Sequence, residues 1–139
     1  MKKIITLILF AFLSLRGEDF IVEFSFENGQ SFRVKMQENE ASKDFIALLP
    51  MSFKLNDHGR TEKVTHLEKA LKTAEFKAYE PEIGDFFYYA PLQNIGFYYE
   101  KQGAFEGLFK MGQIIEKDKI KLLKEQKEDF ILKARLINE

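Results

Sequence analysis

The sequence predicts a mainly β protein, folded as a small closed β-barrel of about eight short strands with two short helices that cap its ends. Three observations support this class. Short apolar segments alternate with polar residues at a period of two, which is typical of strands with one buried face. Turn signals rich in Gly, Asn, Asp or Pro separate these segments. Residues 40–49 and 117–126 carry apolar residues at helical spacing, so they are the two expected helices.

Residues 1–17 are expected to be a secretory signal peptide. Two lysines follow the first methionine, and residues 4–13 then form an apolar run with one polar residue. This run is about half of the roughly 20 residues that a spanning helix needs, so no stable membrane insertion is expected after cleavage. A buried N-terminal strand or helix is the alternative. The sequence therefore predicts a periplasmic or secreted domain over residues 18–139.

The charge of this domain argues against nucleic acid as a partner. Residues 1–17 hold three of the 21 basic side chains and no acidic one, which leaves 18 basic against 22 acidic side chains. Sequence-independent nucleic-acid binding needs clustered Lys and Arg, and the domain has no basic run. Cysteine is absent, so disulfides contribute nothing to the fold. Most of the 15 Phe residues lie in this domain and can supply a core instead.

The first predicted element of the domain is a β-hairpin. Apolar side chains alternate between residues 20 and 26 and again between residues 32 and 36. Asn28-Gly29 lies between the two segments and is the strongest short hairpin signal, because both turn positions need a positive φ. The helix predicted next, 40–49, has Asn39 as its N-cap and Glu40 in its first turn, and Pro50 ends it.

A second hairpin is predicted to follow this helix. Residues 51–55 alternate again and should pair with 60–64 around the turn sequence Asn-Asp-His-Gly at 56–59. Residues 66–72 are expected to be a short helical turn or loop, and residues 77–85 a polar connection.

The remaining elements include two strands that are unusually rich in aromatic residues. These strands are predicted at 86–90 and 95–99, with a turn at 91–94 between them. Beyond a surface loop at 100–106, we expect three elements: a bent strand at 108–115, a charged amphipathic helix at 117–126 and a last strand at 129–137.

The most characteristic stretch of the sequence is GDFFYYAP at 84–91, followed by IGFYY at 95–99. Taken in order with the segments 39–50, 56–63 and 108–114, this stretch resembles the bacterial cyclophilin-like domain family. The resemblance covers most of residues 20–137 and implies a small closed β-barrel capped by helices, as in the peptidyl-prolyl isomerases called cyclophilins.

The resemblance implies this architecture without the isomerase chemistry. Cyclophilins hold the prolyl peptide with an arginine a few residues before a Phe and with a nearby Gln. Here Arg60 is followed by Thr-Glu-Lys-Val, which contains neither residue. Similarity of fold alone does not assign an activity.

Large rings on both faces of the aromatic strands suggest a binding surface. Alternation places Phe86 and Tyr88 on one face and Phe87 and Tyr89 on the other, which exceeds what one core face requires. Amphipathic tyrosines suit a surface that contacts a ligand. The alternative is that the two helices, 40–49 and 117–126, cover the outer rings.

Other chemistry has little support in the sequence. His58 and His66 are the only histidines, so neither a metal site nor a cofactor is expected, and His58 is interpreted as a turn residue. The serines lack a nucleophile-elbow motif, so no catalytic residue is predicted. Glu62-Lys63 has two interpretations: part of a polar constellation at a cleft rim, or a cross-strand ion pair in a hairpin, which we favour.

We therefore expect a non-catalytic module that binds a peptide or small ligand in an aromatic cleft. The ligand-binding residues expected from the sequence are Arg60, Glu62, Tyr89, Tyr99, Gln102 and Phe105.

Two alternatives stay open. In a peptidyl-prolyl isomerase with a degenerate site, Arg60 would polarise the amide, Gln102 would hold the carbonyl, and Phe105 or Phe109 would pack on the proline ring. In a structural or oligomerisation protein, the outward rings would meet another subunit; the sequence predicts no particular oligomeric state.

Overall fold

The computed structural model describes residues 20–137. The predicted signal segment, residues 1–17, lies outside the described residues. Two α-helices are described, α1 (Glu40–Ile46) and α2 (Ile120–Lys124), together with two short 3-10 helices (Ala90–Leu92 and Lys117–Lys119). The described strands are β1 (Ile21–Phe26), β2 (Ser31–Met36), β3 (Met51–His58), β4 (Glu62–His66), β5 (Ala78–Tyr79), β6 (Asp85–Tyr89), β7 (Asn94–Tyr98), β8 (Phe105–Glu106), β9 (Leu108–Ile114) and β10 (Phe130–Ile137).

Eight of these strands form a closed antiparallel barrel. Their order around the barrel is β1-β10-β3-β4-β7-β6-β9-β2, and the pairing of β2 with β1 closes it. The two helices are short, as expected, so the predicted fold class is confirmed. The predicted hairpin of β1 and β2 is also present, with Gly29 at a φ of 92° in its turn.

The inside of the barrel is filled by the alternating apolar side chains, many of them phenylalanines. Phe24 lies at the centre, with ring centroids 5.0 Å from Phe97, 5.2 Å from Phe86 and 5.5 Å from Phe32. Aromatic pairs at such distances add about 0.5–1.5 kcal/mol each beyond the burial of their area. The period-two pattern read from the sequence thus points these rings into one core.

The two helices close opposite ends of the barrel. Asn39 caps α1 as predicted: its side chain accepts a hydrogen bond of 2.9 Å from the backbone N–H of Ser42, which typically contributes about 1 kcal/mol. Phe45 of α1 packs on Phe86, with a centroid distance of 4.9 Å. At the other end, Leu123 of α2 is fully buried in the same core. Both helices are shorter than predicted, since α1 ends at Ile46 and α2 begins after a 3-10 turn.

The predicted turn of the second hairpin was wrong. Strand β3 continues through His58, which pairs with Glu62, so the turn is at residues 59–61 and not at 56–59. Only Gly59 in that turn sequence has a positive φ, 66°, and it therefore sets where the chain reverses. The polar residues at 56–58 fit the strand because their side chains are exposed.

A short two-stranded ribbon outside the barrel was not predicted. Strand β5 comes from the expected polar connection and β8 from the expected loop, and they pair through Ala78 with Glu106 and Tyr79 with Phe105. Across residues 20–137, no helix has the length and apolar character needed to cross a membrane.

Candidate functional site

A second apolar cluster lies on the outer face of the barrel. Its buried residues are Val64, Phe87, Tyr98 and Leu108, with Tyr79 and Tyr89 packed against them. Rings therefore occupy both faces of the aromatic strands, as the alternation predicted. The outer rings are covered from the ribbon side, by Tyr79 of β5, and neither helix belongs to this cluster.

A cavity of about 220 Å³ opens beside this cluster and is called the outer pocket below. Its apolar lining is Val64, Phe87, Tyr89, Leu92, Tyr98 and Phe105. Its polar lining is His58, Glu62, Asn94 and Gln102. Apolar walls with a few convergent polar groups are the usual composition of a small-molecule site.

Gly96 allows the floor of the outer pocket to form. It pairs with Val64 of β4 on one side and with Phe87 of β6 on the other. A Cβ at this position would lie 2.1 Å from the carbonyl oxygen of Lys63. Because any side chain at Gly96 would push the strands apart, this glycine is required for the close approach of β7 to β4.

Glu62 places a carboxylate in the outer pocket. The residue is 7% exposed. The Thr61 hydroxyl donates a 2.5 Å hydrogen bond to Glu62 Oε1, and Gln102 Nε2 donates to the Thr61 hydroxyl at 3.1 Å. His58 Nδ1 lies 3.7 Å from Glu62 Oε2. The carboxylate is thus held in place by Thr61, and two of the surrounding residues, His58 and Gln102, themselves line the pocket.

Tyr98 provides a further hydrogen bond to this carboxylate. Burial, together with the Glu62 carboxylate that accepts its hydrogen bond, raises the pKa of the Tyr98 hydroxyl above its ordinary value. The hydroxyl therefore stays protonated near neutral pH and remains a donor to Glu62.

The structure brings together four of the six residues expected from the sequence. Glu62, Tyr89, Gln102 and Phe105 all line the outer pocket. Arg60 does not line it: this residue is exposed in the turn between β3 and β4. The arrangement required for a degenerate isomerase, with an arginine beside Gln102 and Phe105, is therefore not assembled around this pocket.

Tyr99 also lies away from the outer pocket. Its hydroxyl donates a 2.7 Å hydrogen bond to Asp57 Oδ1. Its ring lies below Lys63, with the Nζ atom 5.4 Å from the ring centroid. Tyr99 is thus part of a different, structural cluster at the end of the barrel that α2 closes.

Lys63 is the centre of that cluster. It is 1% exposed, and its Nζ lies 2.8 Å from Asp57 Oδ1 and donates to the carbonyl oxygen of Gln126 at 2.5 Å. The ion pair expected in this hairpin is therefore formed by Lys63 with Asp57. Burial alone would raise the pKa of Asp57, but the hydrogen bonds from Lys63 and Tyr99 outweigh it and lower that pKa below its ordinary value.

Several pocket residues were missed by the sequence analysis. They are His58, Val64, Phe87, Leu92, Asn94 and Tyr98. Alternation along each strand could have grouped Val64 with Glu62 and Phe87 with Tyr89, because residues two apart share a face. The pairing of β4 with β7 has no local signal in the sequence, so the contribution of Asn94 and Tyr98 could not be found this way.

A wider, shallower groove of about 560 Å³ runs between the ribbon and β9. One of its charged lining residues, Lys110, already has partners within the chain. Lys110 Nζ lies 3.4 Å from Asp85 Oδ1 and 3.6 Å from Glu82 Oε1. The fully buried Asp85 also accepts hydrogen bonds from Tyr79 and Gln113. We therefore interpret this polar cluster as a structural anchor for the ribbon.

No group of three or more His, Asp or Glu side chains in the described part of the chain could hold a metal ion.

Comparison with known proteins gives a family and a fold. Residues 25–135 match the model of the cyclophilin-like family. The fold is similar to the solution structure of the hypothetical protein AF2241 from Archaeoglobus fulgidus, with a TM-score of 0.62 and 19% identity over 87% of this chain and 97% of that chain. No curated protein matches the sequence significantly.

The fold is also similar to that of McbB, solved in complex with tryptophan. The TM-score is 0.57 and the identity 12%, over 82% of this chain and 44% of that chain. This chain thus spans less than half the length of McbB. At such identities the likeness to both solved structures shows the fold alone.

Proposed function

The chain belongs to the cyclophilin-like family, and we propose that it is an exported, non-catalytic domain that binds a small molecule in the outer pocket. The observation that carries this proposal is the carboxylate of Glu62, held by Thr61 and Tyr98 inside a cavity with aromatic walls. An isolated apolar depression would need no such group, whereas a ligand site uses one to orient its ligand.

The size of the outer pocket favours a small molecule over an extended peptide. Its volume of about 220 Å³ lies below the roughly 300–1,000 Å³ that drug-sized ligands occupy. The complex of McbB with tryptophan is consistent with this choice, since it shows that a protein with a similar fold binds one small aromatic molecule.

A titration panel followed by amide NMR tests the proposal. The panel contains indole, tryptophan, 2-phenylethylamine, 2-phenylethanol and 3-phenylpropionate, added to the isolated domain of residues 18–139. At least one member should give saturable shifts that are largest at the amides of residues 62, 64, 87, 89 and 98. Shifts that do not saturate, or that centre on another face of the barrel for every member, would show that the outer pocket is not a binding site.

A matched pair of phenylalanine variants gives the control. Phe105 lines the outer pocket and is 43% exposed, while Phe76 is 51% exposed and does not line it. Phe105→Ala should weaken binding of the best panel member at least threefold, because one aromatic wall is lost. Phe76→Ala should leave that affinity unchanged. Equal effects of the two substitutions would contradict binding in this pocket.

A further inference from the structure

We infer that the outer pocket selects a small aromatic amine in its protonated form, and this inference rests on the proposed function. Its basis is the charge of the pocket lining. Glu62 is the only carboxylate among the described residues that line the pocket, and none of these residues is Lys or Arg. The pocket therefore presents one negative charge to any ligand that enters it.

The charge of Glu62 is not neutralised by a neighbouring lysine or arginine in the pocket. Lys63, next to it in the sequence, points to the opposite face and pairs with Asp57 at 2.8 Å. Arg60 is exposed outside the pocket. His58 approaches Glu62 to 3.7 Å, but its side chain is 64% exposed. Thr61 and Tyr98 donate neutral hydrogen bonds, which orient the carboxylate without cancelling its charge.

A ligand ammonium group would supply the missing partner. A buried carboxylate is costly unless it is both hydrogen-bonded and paired with a cation. The Glu62 carboxylate already accepts hydrogen bonds, so the partner that a ligand can add is a cation. The nearby rings of Tyr89, Tyr98 and Phe105 favour a cation as well, because the face of an aromatic ring attracts positive charge.

The same lining disfavours a ligand carboxylate. An amino acid or an aryl acid would place its carboxylate near Glu62 without a Lys or Arg to receive it. A cavity of about 220 Å³ has room for one ring system with a short side chain. The ligand class that fits is thus a monoamine with a single aromatic group and no acid.

Four probes of nearly equal size separate this inference from the proposed function. They are 2-phenylethylamine, 2-phenylethanol, phenylalanine and 3-phenylpropionate, measured by calorimetry or NMR at pH 7. We expect the amine to bind at least tenfold more tightly than the alcohol, and both acids to bind more weakly than the alcohol. Equal affinity of amine and alcohol would overturn the amine inference and leave the binding pocket standing. Absence of binding by all four, together with a negative panel above, would overturn both.

Variants then assign the selectivity to Glu62. Glu62→Gln should bring the amine and the alcohol to within threefold of one another. Glu23→Gln is the matched control, because Glu23 is paired with Arg135 at 2.8 Å on the outer face of a different strand, and it should keep the tenfold preference. A preference for the amine that survives Glu62→Gln would overturn the assignment.

A second variant tests the same inference if Glu62→Gln is poorly folded. Asn94 lines the outer pocket and is half-buried, so Asn94→Lys adds a positive charge there without removing the carboxylate. It should weaken 2-phenylethylamine and strengthen 3-phenylpropionate by several-fold each. If Asn94→Lys changed the affinity for both probes in the same direction and by the same factor, an electrostatic basis for selection would be contradicted.

Discussion

Glu62 and Lys63 are adjacent in β4, yet their charged groups serve different parts of the molecule. Glu62 faces outward into the outer pocket, where Thr61 Oγ1 lies 2.5 Å from its carboxylate. Lys63 faces inward at the end of the barrel, where its Nζ lies 2.8 Å from Asp57. Successive side chains of a strand alternate in direction, so two adjacent residues place one carboxylate in the outer pocket and one ammonium group in a buried ion pair.

Lys63 should contribute strongly to stability because it is buried and because its Nζ donates a hydrogen bond to the carbonyl oxygen of Gln126, just after the end of α2. Lys63→Met keeps most of the packing but leaves the carbonyl oxygen of Gln126 without this donor. Losing this hydrogen bond from a charged group, together with the ion pair to Asp57, should cost about 1–3 kcal/mol in the free energy of unfolding. Urea unfolding of the isolated domain measures the change.

Lys54→Met is the matched control for that experiment. Lys54 lies 3.7 Å from Asp129, and its side chain is 69% exposed, so the substitution should change the free energy of unfolding by less than about 0.5 kcal/mol. A loss for Lys63→Met no larger than that of Lys54→Met would contradict a structural role for the buried ammonium.

The lowered pKa of Asp57 should make the stability of the domain depend on pH in the acidic range. Its pKa is lowered in the folded chain relative to the ordinary value of 3.8, so the unfolded chain binds more protons between the two pKa values. The contribution of Asp57 is therefore complete above pH 5 and is lost as the pH falls below about 4. Asp57→Asn removes this contribution.

Urea unfolding of the parent chain and of Asp57→Asn from pH 2 to pH 6 tests this dependence. The parent should be the more stable of the two at pH 6, and the difference should shrink towards pH 2. Asp129→Asn is a control at an exposed ion pair, and it should change the free energy of unfolding by less than about 0.5 kcal/mol. A difference between parent and Asp57→Asn that is constant over the whole range would rule out this linkage.

Alternation along single strands was sufficient to predict much of the fold and part of the site. It identified the inward phenylalanines, the outward rings and the pocket residue Tyr89, whereas Phe105 was expected from its place in the loop after Tyr99. It also places Tyr99 on the face of Phe97, which agrees with the position of Tyr99 away from the outer pocket. The period-two pattern therefore already placed Tyr99 on the inward-facing side with Phe97, so Tyr99 should not have been expected in an outward-facing site.

The remaining features depend on pairings between distant parts of the chain. The turn at 59–61 leaves Arg60 exposed, and a shift of the turn by a few residues decides whether that side chain belongs to a strand. The pairing of Glu62 with Tyr98 joins β4 to β7, and the pairing of Tyr79 with Phe105 forms the ribbon. Such contacts are fixed by the closed barrel as a whole, so no local pattern could predict them.

Residues 1–17 are predicted to direct export. A fusion of residues 1–25 to a reporter enzyme that is active only outside the cytoplasm should give activity in a bacterial host. Leu9→Arg introduces a charge into the apolar run and should abolish that activity, whereas Glu18→Gln, just beyond the segment, should preserve it. Equal activities of the Leu9→Arg and parent fusions would reject the export signal.

Gly96 should be the position on β7 that tolerates a side chain least. The Cβ of Gly96→Ala would lie 2.1 Å from the carbonyl oxygen and 3.0 Å from the carbonyl carbon of Lys63, and these are backbone atoms that cannot rotate away. We expect a loss of about 3 kcal/mol or more in the free energy of unfolding, at the upper end of the range for overpacking.

Gly103→Ala separates this steric effect from the general cost of replacing a glycine. No heavy atom lies within 4 Å of a Cβ at Gly103, and the residue does not have a positive φ, so its stability should change by less than about 0.5 kcal/mol. Unfolding of the two variants in urea gives the comparison. If Gly96→Ala were as stable as Gly103→Ala, the close approach of β4 and β7 beneath the outer pocket would be wrong, and with it the position of Tyr98 beside Glu62.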